Sequence, residues 1–238
     1  MLQAKANAKK IVNSALSVLP RGARNSFKRY HELRYWRLVT RPIRDDRAKL
    51  EHERSHYEQF FTGFFGLTRS DYLGKRLLDV GCGPCGSLEW ADMAAKRVGI
   101  DPLAEEYKKL ANDRQKMTYC AAPSEAIPYP DGYFHCVSCF NSLDHVDDVD
   151  ATIWEIKRVT APGGRVLLIV EIGHEPTPTE PHDLDESVIE KFAPQFEAIS
   201  VRTYGVRADH NLYASLLDDV PYEPGGAGIF CARLERRP

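Results

Sequence analysis

The stretch Leu77-Leu78-Asp79-Val80-Gly81-Cys82-Gly83-Pro84-Cys85-Gly86 restricts the fold more than any other part of the chain. A short apolar run ends in an acid, glycines follow at the spacing G-x-G-x-x-G, and residues 87–96 suit a helix. The reading is strand, tight turn, helix. Glycine serves such a turn because the backbone must take positive φ and because a ligand lies too close for a Cβ. A nicotinamide-binding domain shows the same glycines. Asp79, two residues before the first glycine, suits an ammonium group better than a pyrophosphate and argues against that alternative.

From Lys75 onward strand and helix patterns alternate, which predicts a parallel α/β sheet. A second strand ends at Asp101, 20 residues after Gly81, where a strand tip can hold a carboxylate against a ribose diol. Asp101 also suits the N-cap of a helix over residues 103–111, and the two roles are compatible. A third strand is expected near residues 117–121. The fourth, residues 134–140, ends in Asn141-Ser142-Leu143-Asp144-His145. Ligands of open α/β sheets bind at the carboxyl ends of the strands, so this segment borders both cofactor and substrate. A helix over 149–159, a fifth strand over 166–172, a helix near 184–193 and strands near 196–204 and 228–234 complete the pattern. The loop 173–183, stiffened by three prolines, should lie over the site, and the last connection returns Asp209, His210, Asn211, Tyr213 and Tyr222 to it.

Residues 77–86 resemble motif I of the class I S-adenosylmethionine-dependent methyltransferases, in particular the type 11 small-molecule enzymes. Residues 123–134 are similar to the family's acidic segment and "LPFPDGSFD" stretch. His145 stands where the family often has a His, and "RVTAPGGRVLLIVE" resembles its entrance to strand 5. The chain departs from the pattern at Pro84 and Cys85, at Pro123 in place of an adenine-reading Asp, and at His135. The resemblance covers residues 75–234. It implies a Rossmann-like seven-stranded sheet ordered 3-2-1-4-5-7-6 with the last strand antiparallel. It also implies S-adenosyl-L-methionine as cofactor, with S-adenosyl-L-homocysteine as product, held by Asp79, Gly81, Cys82, Gly83, Asp101, Pro102, Ser124, Glu125 and Asn141. At Ser124 and Glu125 the backbone is the expected contact.

The first 70 residues lie outside the resemblance and divide the chain into a basic helical extension or lid (1–70) and a catalytic domain (71–238). Residues 1–44 carry eleven Lys and Arg against one acid, Glu32, whereas the remainder carries 21 basic and 33 acidic residues. The pattern over residues 2–19 predicts an amphipathic helix. Packing on its own domain or across a homodimer is favoured over a membrane surface, because the apolar face is rich in alanine and lacks Trp and Phe. Further helices are expected over residues 26–39, stopping before Pro42, and 45–65, whose Phe-rich end docks on the core. No stacking or DNA-binding pattern is present, so nucleic acid is not an expected partner. The composition, 43% hydrophobic and 28% charged, and the lack of an apolar run of spanning length predict a cytoplasmic protein.

Cys82-x-x-Cys85 and Cys136-x-x-Cys139 tempt a zinc reading, but the second pair falls in a strand, where residues three apart point to opposite faces. His174, Glu180, His182 and Asp183 have no diagnostic metal spacing either. No metal is expected. Methyl transfer from a sulfonium is an in-line displacement governed by alignment. A hydroxyl acceptor must also lose a proton, for which His145 and His174 are the candidate bases. The leading expectation is O-methylation of a sugar or another hydroxyl metabolite. N-methylation of a small amine, a non-catalytic cofactor-binding scaffold and a nicotinamide-dependent oxidoreductase are the alternatives.

Overall fold

Period-two burial along short apolar strands builds the centre of the protein. A computed structural model describes residues 21–44, 46–110, 116–177 and 179–238. Strands β1 (Arg76–Val80), β2 (Lys96–Ile100), β3 (Thr118–Cys120), β4 (Phe134–Phe140), β5 (Thr160–Ile172), β6 (Phe196–Gly205) and β7 (Gly228–Arg236) form one sheet. Its order is β3-β2-β1-β4-β5-β7-β6, and β7 runs antiparallel to both neighbours. The expected topology is present. Leu78, Val80, Val137, Leu168 and Val170 pack on one face, while Leu77, Cys136, Leu167 and Ile169 pack on the other. Cys136 and Cys139 therefore enter different halves of the core, as strand geometry requires.

One face is covered by α4 (Val149–Val159), which buries Val149, Ile153, Ile156 and Val159 at helical spacing. The Asp148 carboxylate caps its start by accepting from the Ala151 amide at 3.0 Å. The same helix turns Glu155 inward, where the carboxylate accepts from the Ile127 amide and pairs with Arg158. The segment after β3 is thereby tied down. On the other face, α2 (Arg47–Phe61) delivers Phe60 and Phe61, both fully buried, and a 3₁₀ turn adds Phe65. Phe61 lies 4.8 Å from the Phe140 ring and 5.5 Å from Trp90. Burying one such ring contributes roughly 2–3 kcal/mol, enough to fasten the helix to the sheet.

Three local expectations are corrected. Residues 87–96 form no helix: Gly86 takes φ 74°, and Arg97 donates to the carbonyls of Leu88 and Glu89. Turns closed by Glu89→Gly86 and Ala91→Leu88 hydrogen bonds replace it. Helix α1 (Arg21–Arg44) does not stop before Pro42 but runs through it for part of another turn. A short helix, α5 (Leu212–Leu217), stands within the last connection, capped by Asn211, while residues 186–192 are 3₁₀ rather than α. Helix α3 (Ala104–Leu110) follows β2 as expected. The amphipathic segment 2–19, with its packing and membrane-surface readings, lies outside the described residues. Among the described residues no helix is long and apolar enough to cross a membrane.

Candidate active site

The sheet order reverses between β1 and β4, so the carboxyl ends of these strands open a crevice. Gly81 and Gly83 take φ 73° and 55°, as the turn demands. The protein groups that lie close to them come from two other elements. A Cβ on Gly81 would stand 2.3 Å from the Ser142 Cβ, and one on Gly83 would stand 3.3 Å from the Trp36 ring of α1. These glycines admit the loop after β4 and the N-terminal helix. Cys82 is buried, and its thiol fills the space left by Gly99 of β2.

Asp79 also has partners of its own. Its carboxylate accepts from the hydroxyls of Ser87 and Ser138, the latter at 2.5 Å, and joins the turn to β4. Burial raises it to about 6 although both hydroxyls favour the anion. Ser124 bonds Thr152 at 3.0 Å, and Glu125 accepts from the amides of Asp147 and Asp148. The side chains at 124 and 125 thus brace the loops, which leaves the backbone as the surface for a ligand.

Asp101 sits at the tip of β2, buried, and caps α3 by accepting from the Leu103 amide at 2.7 Å. Burial, reinforced by the nearby carboxylate of Glu32 from α1, pushes Asp101 up to about 8. An acid raised in this way favours folding below its unfolded value and loses that contribution as the pH climbs toward 8. Asp101→Asn keeps the capping oxygen and removes the ionisation. Thermal melts should therefore place the variant close to the wild type near pH 4 and above it at pH 9, by on the order of 2 kcal/mol. A difference that does not grow with pH would contradict the burial argument.

Helix α1 reaches each of these tips. Lys28 donates to the His145 carbonyl and lies 3.7 Å from Asp147, Arg29 donates to the Pro102 carbonyl at 3.2 Å, and Glu32 accepts from Tyr107 at 2.9 Å. A basic helix thus crosses the carboxyl ends of β1, β2 and β4.

At the end of β4, Asn141 takes φ 49°, an uncommon conformation for a residue with a side chain, and its Oδ1 is buried without a partner. Its side chain lies against Tyr213 of α5. The 3₁₀ turn Leu143–His145 buries Asp144. His145 Nε2 stands 3.6 Å from Asp144 Oδ2, and His174 Nε2, from the loop after β5, stands 3.7 Å from the same atom. The structure thus brings both candidate bases onto one carboxylate, which burial pushes above its usual range. His210 Nε2 lies 3.2 Å from Glu171 at the tip of β5, so the last connection does return to this end. Asp209 instead pairs with Arg207 on the exterior.

Asp144 and Glu171 carried no signal beyond their places after strands 4 and 5, because the histidines that meet them are distant in sequence. His182 Nε2 donates to the Val146 carbonyl at 2.9 Å, and Glu180 accepts from Thr177. Among the described residues no three His, Cys, Asp or Glu side chains are grouped to hold a metal ion, and none of the six cysteines forms a disulfide.

Comparison with known proteins adds a family match over part of the chain. Residues 78–168 match the family described as "Methyltransferase domain". The chain is 35% identical over 89 residues to a ubiquinone/menaquinone biosynthesis C-methyltransferase of Hahella chejuensis, covering 37% of this chain and 34% of that protein. It is 33% identical over 104 residues to the chloroplastic tocopherol O-methyltransferase of Arabidopsis thaliana, covering 40% of this chain and 30% of that protein. The chain thus aligns with about a third of the length of these relatives. A crystal structure of an S-adenosylmethionine-dependent methyltransferase from Mesorhizobium loti shares the fold, with TM-score 0.53 and 18% identity over 69% of this chain and 92% of that one. The strand order, the glycine turn and the family match agree: residues 78–168 carry a match to the methyltransferase domain, within a sheet of the order found in the class I S-adenosylmethionine-dependent methyltransferase fold.

Proposed function

We propose that this chain methylates a hydroxyl group of a small molecule, a sugar or similar metabolite, using S-adenosyl-L-methionine. The observation that carries the reading is the convergence of His145 and His174 on buried Asp144, beside the glycine turn and at the carboxyl ends of β4 and β5. The relatives named above methylate carbon in one case and oxygen in the other by their names, so the family match alone leaves the atom open. A base held by a carboxylate favours oxygen.

The residues fit the cofactor. Asp101 offers a buried carboxylate at the position expected for a ribose diol, and Asn141 carries a buried oxygen without a partner at the tip of β4. The backbone of Gly81 to Gly83 and of Ser124 and Glu125 completes the set, with Cys82 packed beneath and Pro102 at the rim. The cofactor supplies an electrophilic methyl on a sulfonium. His174 takes the acceptor proton at Nε2, since its Nδ1 faces the Glu175 carbonyl at 3.2 Å and must be the protonated nitrogen there. Asp144 stabilises the imidazolium that forms, and His145 supports the same carboxylate from its half-exposed position.

Residues 1–70 serve as a basic extension and lid on the domain formed by residues 71–238. The contacts of Lys28, Arg29 and Trp36 with the loops after β4, β2 and β1 support this role. Roofing of the crevice excludes water from the methyl transfer.

Calorimetric titration with S-adenosylmethionine, S-adenosylhomocysteine and NAD tests the reading. Binding of the first two without NAD is expected, and Asp101→Ala should weaken it by about tenfold or more, equal to ~1.4 kcal/mol. Binding of NAD alone would overturn the assignment.

A further inference from the structure

The buried polar atoms left without partners at the carboxyl ends of β4 and β5 share one chemical character. They are Asn141 Oδ1, Asp144 Oδ1 and His174 Nε2. An amide oxygen and a carboxylate oxygen accept hydrogen bonds. His174 Nε2 accepts too, because its Nδ1 proton is directed to the Glu175 carbonyl. At 3.7 Å from Asp144 Oδ2, this nitrogen is too far for a direct hydrogen bond to the carboxylate. Leaving a buried acceptor unpaired costs about 1–3 kcal/mol; with Asn141 Oδ1 assigned above to the cofactor, Asp144 Oδ1 and His174 Nε2 mark a place that a second, donor-bearing ligand completes.

The surrounding charges narrow the ligand further. The groups acting most strongly on Asp144 are His145, Glu180 and His174, and those acting on Glu171 are His210, His174, Asp144 and Glu180. Carboxylates and imidazoles make up this set. A phosphate or carboxylate on the acceptor would meet three acids here.

We infer that the acceptor presents a vicinal diol, with the hydroxyl to be methylated on His174 Nε2 and its neighbour donating to Asp144 Oδ1. Two hydroxyls on adjacent carbons can each donate to one of two neighbouring acceptors, and the imidazole nitrogen lies 3.7 Å from the other oxygen of the same carboxylate. Specificity for the pair follows from the cost of an unpaired Asp144 oxygen when the second hydroxyl is missing. In the reaction, the attacking oxygen forms the bond to the methyl carbon as the carbon–sulfur bond breaks, its proton passes to His174, and the second hydroxyl stays intact. This inference rests on the methyltransferase reading above and names the substrate class of the same site.

Calorimetry on the full chain loaded with S-adenosylhomocysteine tests it with two pairs of probes. Catechol is compared with its mono-O-methyl ether, and cis-1,2-cyclohexanediol with cyclohexanol, which separates planar from aliphatic diols. In at least one pair the diol should bind about tenfold tighter or more, and the margin should fall to within twofold in folded Asp144→Ala. Equal affinity within both pairs, absence of binding by both diols, or a margin that survives in folded Asp144→Ala overturns the inference. Should Asp144→Ala fail to fold, the wild-type margins decide alone. Binding of S-adenosylhomocysteine is read in the same samples: its failure would sink the methyltransferase reading, whereas its success with no diol margin would sink only the diol.

Discussion

Gly81→Ala should melt about 10 °C below the wild type and lose measurable cofactor binding. Two costs combine at this position. The backbone stands at φ 73°, where an L side chain pays roughly 1–2 kcal/mol. The new methyl would also stand 2.3 Å from the Ser142 Cβ, and relieving such an overlap costs roughly 1–3 kcal/mol. A loss of about 3 kcal/mol in a chain of this size shifts the melting temperature by roughly 6–12 °C. Gly163→Ala is the control: φ is 67°, but nothing lies within 4 Å of its Cβ position, so only the backbone cost applies. Melting of both variants within two degrees of each other would show that Ser142 can move aside. Cofactor binding should fall in Gly81→Ala because relief of the overlap separates the glycine turn from the loop after β4, the two walls of the crevice.

His174→Ala should depress turnover by about 10²–10³-fold while leaving cofactor affinity unchanged. The imidazole lies on the acceptor side, apart from the Gly81, Asp101 and Ser124 positions, and only 13% of its side chain is exposed. His145→Ala should cost less, because its ring is 35% exposed and its Nε2 is not among the buried unpartnered atoms. Comparison of the two variants by single-turnover kinetics with a methyl-accepting diol separates a base from a supporting residue. Full activity in both would move proton removal to another group or to water.

The glycine turn, the strand sequence and the carboxyl-end segments were legible because each depends on local chemistry: positive φ, period-two burial and caps. Asp101 was legible through a fixed separation from the turn, and its dual place as cap and strand tip follows from one position in the βα unit. Residues 87–96 read as a helix because their composition favours one. Arg97 and the buried Trp90 outweigh that preference by holding carbonyls and a ring in place from outside the segment. Pro42 read as a stop, yet one missing donor did not end α1. The meeting of Asp144 with two histidines, and the arrival of Glu32 and Trp36 above the turn, join residues far apart in sequence. Such contacts have no local signature, which is why these parts of the site emerged only from the fold.

The cysteines near the crevice bear on how the protein withstands oxidants and alkylating reagents. Burial raises the thiols of Cys82, Cys136, Cys139 and Cys231 far from the thiolate form, those of Cys136 and Cys139 to about 12. Since the thiolate is the nucleophile, these sulfurs react slowly even where a small reagent reaches them. Cys120, at the end of β3 and partly open to solvent, is the one among these five that iodoacetamide should find in the folded state. The sulfur beneath the glycine turn therefore acts as inert filling, and a label or fluorophore attached at Cys120, whose carbonyl accepts from the Asp101 amide, would report from the β2–β3 end of the crevice.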